Sequence, residues 1–92
     1  MKTGADLIKE ERLRQIEVEG YSQEHDKNHR WIEFEWAAIA YLLSGFNDVA
    51  AESYWPWEKK YFKPKDKIKN LTRAGALVAA AIDRLQQDKS YV

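Results

Sequence analysis

The chain has 92 residues, with 15 basic and 15 acidic side chains, so its formal net charge is zero. The length predicts a single domain, 1–92, which is marginally stable alone and would gain stability from self-association. Zero net charge argues against a general duplex-DNA binder, and the lack of cysteine excludes disulfides and thiolate sites. No apolar run could span a bilayer and no signal peptide is visible, so we expect a cytoplasmic protein without a membrane partner.

The first predicted helix covers residues 5–19, with Thr3 as its cap and Gly20 as its stop. Arg12 lies in the middle of its apolar stripe, which is narrow. The apolar members of the stripe are Ile8 and Ile16, with Ala5 and Leu13 beside them. A partly buried arginine needs an anionic partner, so Arg12 pairs either with a carboxylate or with a phosphate. The carboxylates considered for this pairing are those of Glu11, Glu33 and Glu35.

Residues 21–30 are polar and lack periodicity, which predicts a loop that caps the next helix through Asp26 or Asn28. The strongly apolar residues 31–44 form the second predicted helix, which ends at Gly45. One face of this helix is predicted to consist of Ile32, Trp36, Ile39 and Leu43. Residues 46–53 predict one further helical turn, opened by Asn47 or Asp48.

The third predicted helix begins at Asp66 and runs to residue 88. Its apolar residues are three and four positions apart, as in a heptad seam, and they are Ile68, Leu71, Gly75, Val78, Ile82 and Leu85. Alanines flank this seam, and such small side chains allow another helix to approach closely. The sequence therefore predicts an all-α, three-helix single domain that self-associates into a homo-oligomer, with a long ordered aromatic loop between helices two and three.

That loop is YWPWEKKYFKPKD, residues 54–66. Trp55 and Trp57 are amphipathic side chains that either pack under the loop as a satellite core or offer a face to a nucleotide base. The cations near these rings are Lys63, Lys65 and, one to two turns into the next helix, Arg73. Lys65 also precedes a helix N-terminus, where backbone N–H groups favour an anion. Aromatic faces with cations are the minimum for a nucleotide site, so the loop is predicted to be a lid or wall over a nucleotide-like ligand.

The segment EHDKNH places His25 and His29 four residues apart, as metal ligands on a helix would be, but it does not have a helical pattern. We therefore predict that this segment binds no metal. For the chain as a whole we likewise predict no cofactor and no catalytic residue. The predicted ligand-binding residues are Arg12, Gln15, Tyr21, His25, Trp55, Trp57, Lys63, Lys65 and Arg73.

Two alternative functions remain open. MazG-type nucleoside triphosphate pyrophosphohydrolases are all-helical and hold magnesium with paired carboxylates on two helices. Asp48 and Glu52 are four residues apart here, and Glu33 is separated from Glu35 by one residue. The last helix, however, has a single interior acid, Asp83, so this enzyme is the runner-up. The other alternative is an inhibitor that binds a host defence protein through its tryptophan-rich loop.

Three segments, ERLRQIEVEGYSQEHD, WPWEKKYFKPKD and NLTRAGALVAAAIDRL, follow one another along nearly the whole chain. In these motifs the chain resembles a family of short helical proteins encoded by bacteriophages and prophages. Lys27 and Asn28 stand where that family commonly has acidic residues, which argues further against a metal. The resemblance implies a phage source and action in the host bacterial cytoplasm.

Other small helical phage proteins sequester nucleotide second messengers. By analogy with them we expect a counter-defence protein that binds and sequesters a phosphate-bearing, cyclic nucleotide signal without catalysis.

Overall fold

The computed structural model describes residues 1–18 and 30–87. Within these ranges the chain forms four α-helices and no β-strand: α1 (Gly4–Glu17), α2 (Trp31–Leu43), α3 (Asp48–Tyr54) and α4 (Lys67–Gln87). A 3₁₀ turn at Lys59–Tyr61 interrupts the loop before α4. The all-helical prediction is confirmed, but the count differs, because the turn expected after α2 is a helix of 7 residues. None of the helices in these ranges has the length and apolar character that crossing a bilayer requires.

Side-chain caps explain where several helices begin. The Thr3 hydroxyl accepts the N–H of Asp6 at 3.2 Å, and the Asp6 carboxylate accepts the N–H of Thr3 at 2.9 Å, which completes a capping box. The bonds from Thr3 hold the pKa of Asp6 below its usual value. Asn47 caps α3 by accepting the N–H of Ala50 at 3.1 Å. The predicted stop at Gly20 and the predicted caps at Asp26 and Asn28 lie outside the described residues.

Gly45 ends α2 as predicted, with a φ of 83° in the left-handed region that favours glycine. Asp66 precedes α4, and its carboxylate accepts the N–H of Lys69 at 3.0 Å. The N-terminus of α4, predicted as an anion site, therefore already holds a carboxylate of the chain itself.

The core forms where α2 packs on α4, which is the largest interface between helices, while α1 packs on α4 and α3 on α2. Most of its side chains are small, which allows the helices to approach closely. Its buried members are Phe34, Ala37, Ala38, Ala40, Tyr41, Trp55, Ala74, Leu77, Ala80 and Ala81, with Trp57 and Phe62 packed against them.

The core-facing sides of α2 and α4 consist largely of alanines rather than of the large aliphatic residues. The predicted face of α2 points away from the core, since Trp36 is exposed and Ile32, Ile39 and Leu43 are partly exposed. Much of the predicted seam of α4 is likewise exposed, and Ile68 retains 67% of its accessible surface. A seam glycine, Gly75, faces α1 of the same chain, because a Cβ atom at this position would lie 2.5 Å from Cδ1 of Ile8.

The buried side of α1 is polar. Arg12 and Gln15 are buried, whereas Leu13, predicted beside the apolar stripe, is exposed. Arg12 donates through Nε and Nη2 to one oxygen of Asp83 on α4, at 3.4 and 3.2 Å. The prediction that the carboxylate paired with Arg12 belongs to Glu11, Glu33 or Glu35 is therefore wrong for this bond. The packing of α1 on α4 places Asp83 opposite Arg12 instead.

Candidate functional site

The aromatic loop is built around Trp55, which is only 8% exposed. Its ring stacks on Phe62, with centroids 4.9 Å apart, and meets Tyr41 edge-on at 5.6 Å. Its indole N–H donates to the Glu58 carbonyl at 3.0 Å. Trp55 is therefore a core residue in this arrangement, and a nucleotide base would have to displace neighbouring rings to stack on it.

Trp57 ties the same loop to α2. Its ring meets Phe34 edge-on at 5.5 Å and Trp55 at 5.2 Å. Its indole N–H donates to Oε1 of Glu33 at 3.1 Å. Since Trp57 is partly exposed, it joins the core on one side and borders solvent on the other.

Hydrogen bonds from α2 and α4 fix the backbone of the loop. The Lys63 N–H donates to the Tyr41 hydroxyl at 3.2 Å, and the Lys63 carbonyl accepts from the guanidinium of Arg73. Asn70 is buried and binds both backbone groups of Lys65, at 2.7 and 2.9 Å. These bonds anchor the backbone of the loop to α2 and α4.

A small polar pocket lies where α1, α4 and this loop meet. Four polar and three apolar side chains line it, namely Glu11, Arg14, Gln15, Arg73, Tyr41, Trp55 and Leu77. Its volume of about 10 Å³ is enough for one water molecule or one group of similar size. We refer to it below as the polar pocket.

Glu11 and Gln15 line the polar pocket from α1. Glu11 accepts two bonds of 2.7 Å from Arg14 and one of 3.3 Å from Nε2 of Gln15. Gln15 is 2% exposed, and its Oε1 atom is buried without a hydrogen-bond partner among the described residues. An unmade bond of this kind costs about 1–3 kcal/mol, so this oxygen is a local cost to the stability of the fold.

The rim of the polar pocket is cationic. The side chain of Arg14 is 38% exposed. Arg73 is partly exposed, and its guanidinium lies over the Tyr41 ring, 5.8 Å from the centroid. Both guanidinium groups therefore border the pocket at positions that an anion in solvent could reach.

The structure brings together three of the predicted ligand residues, Gln15, Trp55 and Arg73, in the lining of one pocket. It does not place Arg12 there, because Arg12 pairs with Asp83. Lys63 and Lys65 have exposed side chains elsewhere on the loop. Trp57 adjoins the pocket only through its contact with Trp55. Tyr21 and His25 lie outside the described residues.

Sequence reasoning missed four of the lining residues as members of the site, namely Glu11, Arg14, Tyr41 and Leu77. For Glu11 and Arg14 the signal was available in their spacing, because residues 11, 14 and 15 are three and four positions apart and therefore neighbours on one helix surface. What the spacing does not reveal is the side of α1 that faces the loop.

Two wider grooves lie elsewhere on the surface. One of about 480 Å³ borders α3 and carries both signs of charge; its charged residues are Asp48, Glu52, Lys59 and Lys65. Lys59 and Glu52 form a salt bridge of 3.0 Å, so much of this charge is paired within the chain. The other groove, of about 370 Å³, is lined by Arg30, Trp31, Ile32 and Arg84.

The carboxylates considered for magnesium have other contacts in the structure. Asp48 accepts the N–H of Gly45 at 2.8 Å, and Glu33 accepts the N–H of Arg30 at 2.9 Å as well as the indole of Trp57. Across residues 1–18 and 30–87, no group of three or more metal-ligating side chains comes together.

Comparison with known proteins returned no match: no protein-family model, no curated protein and no solved structure matches this chain.

Proposed function

We propose that this protein binds and sequesters a phosphate-bearing nucleotide signal, such as a cyclic nucleotide, without chemical turnover. The observation that carries the proposal is the polar pocket, which the guanidinium groups of Arg14 and Arg73 border. Guanidinium groups bind phosphate through paired, charge-assisted hydrogen bonds. A bound phosphate at the rim would lie against Arg14 and Arg73.

The volume of the polar pocket decides where the rest of such a ligand lies. A space of about 10 Å³ excludes a base, so the base lies outside the pocket, on the surface beside it. The burial of Trp55 favours a supporting role for this ring, which holds the pocket wall in place. The proposal therefore assigns phosphate recognition to Arg14 and Arg73 and assigns rigidity to the aromatic loop.

The biological setting follows from the resemblance to bacteriophage proteins. In a host bacterial cytoplasm, a protein that removes a nucleotide signal in stoichiometric amounts would block a defence pathway that depends on the signal. The rigid loop supports such a role, because a preformed site loses little conformational freedom on binding.

We further propose that the functional unit is a homo-oligomer formed through the outer stripe of α4. This stripe consists of Ile68, Leu71, Val78 and Ile82, all exposed. These four residues keep heptad positions along the helix, which fits the packing of a second, identical helix against them, while Gly75 between them packs on α1 of the same chain. Among the positions that flank the stripe, Thr72, Ala79 and Gln86 are uncharged and are not buried, so two copies can approach there without like-charge repulsion.

The binding proposal is tested by titrating the protein with cyclic nucleotides at two salt concentrations. We expect Arg73→Gln to weaken binding about tenfold or more and to reduce its salt dependence, because the lost contact is charge-assisted. Arg73→Lys keeps the charge but loses the forked geometry, so its loss should be intermediate. Lys60→Gln removes an exposed cation away from the pocket and is the matched control.

Other outcomes of the same titration locate or refute the site. If Arg30→Gln weakens binding and Arg73→Gln does not, the ligand lies in the groove beside Trp31 instead. Release of intact nucleotide on heating, in stoichiometric amount, supports sequestration. Magnesium-dependent turnover would favour the pyrophosphohydrolase, and co-purification with one host protein without any nucleotide would favour the inhibitor.

A further inference from the structure

The groove of about 480 Å³ beside α3, called the α3 groove below, differs from the polar pocket in size. Residues of α3 and of the end of α2 line one part of it, and residues of the aromatic loop and of α4 line the rest. Small-molecule sites have volumes of about 300–1,000 Å³. The α3 groove therefore has room for a whole small molecule, whereas the polar pocket admits one group of the size of a water molecule.

The charges that line the α3 groove are balanced, and two of them are not used within the fold. Glu52 and Lys59 form a salt bridge of 3.0 Å with each other. Over residues 1–18 and 30–87, Asp48 forms no ion pair with a basic side chain, and Lys65 forms none with an acidic side chain. The groove thus offers one anion and one cation to a ligand.

Hydrogen bonds to the backbone position both of these residues. Oδ1 of Asp48 accepts the N–H of Gly45 at 2.8 Å, which leaves Oδ2 for a ligand. The backbone N–H and carbonyl of Lys65 bind the side chain of Asn70, which is 2% exposed, at 2.7 and 2.9 Å. The base of the lysine is therefore fixed, while its ammonium group can adjust to the ligand. Groups positioned in this way lose little conformational freedom on binding.

The balance of charge narrows the ligand to one class. An anion alone would face the carboxylates of Asp48 and Glu52, and a cation alone would face the ammonium groups of Lys59 and Lys65. An uncharged apolar molecule would take the two free charges out of water without pairing them. A zwitterion pairs with both and adds no net charge.

The uncharged part of the lining is partly apolar, because Phe62 and Pro64 belong to it and neither is buried. We propose that the α3 groove binds a small zwitterion of the amino-acid class. The ammonium group of the ligand binds Asp48, its carboxylate binds Lys65, and its apolar side chain lies against Phe62 and Pro64. This site is separate from the polar pocket and does not depend on the binding of a nucleotide.

An NMR titration of the wild type with millimolar L-leucine or L-phenylalanine tests the proposal. The backbone N–H signals of Gly45 and Lys65 report on the two ends of the site, and both should shift. N-acetylleucine lacks the cation and leucinamide lacks the anion, so each serves as a matched probe at mildly acidic pH, where the amine of leucinamide is protonated. We expect each to bind about tenfold or more weakly than leucine, because one charge-assisted contact is lost.

Two variants remove one charge each and keep the local backbone bonds. Asp48→Asn retains a carbonyl oxygen in place of the carboxylate, and it should lose the preference for leucine over N-acetylleucine. Lys65→Gln retains the backbone bonds to Asn70, and it should lose the preference for leucine over leucinamide. Glu58→Gln and Lys60→Gln change exposed residues of the same loop outside the groove, and both should bind as the wild type does.

Three outcomes would contradict the proposal. If neither amino acid shifts the signals of Gly45 and Lys65, the groove holds no such ligand. Equal affinity for leucine and its two singly charged analogues would show that the zwitterion is not recognised. A wild-type preference in both Asp48→Asn and Lys65→Gln would place the ligand on other residues. Failure of cyclic nucleotides to bind the polar pocket would leave this inference standing, and the shifts at Gly45 and Lys65 distinguish the two sites.

Discussion

The aromatic loop and the outer stripe of α4 are both rich in large apolar side chains, yet their environments are opposite. Trp55 in the loop is buried against Phe62 and Tyr41. Ile68 in the stripe projects into solvent. The loop, which is also the most lysine-rich part of the chain, thus contributes rings to the core, whereas the periodic apolar residues of the helix lie outside it.

The difference follows from how α2 and α4 approach one another. Their contact is made largely by alanines, such as Ala38 and Ala81, so the two helix backbones lie close together. Few large side chains fill the space beside this contact from within the helices, and the rings of the loop pack there instead. Large aliphatic residues on the outer side are then left for a partner, which supports the proposed second copy.

The largest effect is expected from removing the ring at the centre of the loop. Trp55→Ala deletes a buried side chain that touches three other rings, and substitutions of this kind cost about 3–5 kcal/mol. In a domain of this size that is a large part of the total stability, so we expect the melting temperature to fall by tens of degrees or the variant to be unfolded.

Tyr61→Ala is the matched control, because Tyr61 belongs to the same loop but is exposed. Its effect on the free energy of unfolding should remain within about 0.5 kcal/mol. If Trp55→Ala melts like the wild type while nucleotide binding is lost, the ring serves the ligand rather than the core, and the contrast between the two regions disappears.

The positions of the helices could be predicted from the sequence, whereas their orientation could not. Caps such as Thr3 and stops such as Gly45 are local signals, and the structure confirms both. Periodicity detects an apolar stripe but not the direction it faces. In α2 and α4 most residues of the predicted stripes are at least partly exposed, and other residues, many of them alanines, form the core.

The candidate site shows the same limit more strongly. Gln15, Trp55 and Arg73 were singled out by chemical type, and the structure places them together. The partner of Arg12, by contrast, lies 71 residues away along the chain, a distance over which no local pattern gives information. The unpaired oxygen of Gln15 depends on the packing of α1, α4 and the loop, so it is visible only in three dimensions.

A smaller effect is expected at Gly75. The sequence predicted that this residue contacts a second copy, whereas in the structure it faces α1 of the same chain. Gly75→Leu would drive its side chain into Ile8, whose Cδ1 and Cγ1 would lie 2.5 and 2.8 Å from the new Cβ atom. Overpacking of this kind costs roughly 1–3 kcal/mol. The loss should appear as a lower denaturant midpoint.

The double variant Ile8→Ala with Gly75→Leu should recover part of this stability, because the smaller side chain makes room for the larger one. Without such recovery, the cost arises elsewhere than at the contact between α1 and α4. If Gly75→Leu instead changes the subunit number at unchanged stability, the residue belongs to the interface between copies, and the outer stripe extends further round α4.

The smallest effect on the stability of the single chain, but the largest on its assembly, is expected in the outer stripe. Ile82→Lys changes an exposed side chain, so the unfolding free energy of the monomer should shift by no more than about 0.5 kcal/mol. A charge at this position would face the partner copy and have to be desolvated, so sedimentation should show monomers where the wild type is an oligomer. The melting temperature of the wild type should rise with protein concentration, and that of Ile82→Lys should not.

Lys69→Glu, a charge change on α4 outside the stripe, should assemble like the wild type. A wild type that sediments as a monomer at micromolar concentration would show that a second copy does not cover the stripe.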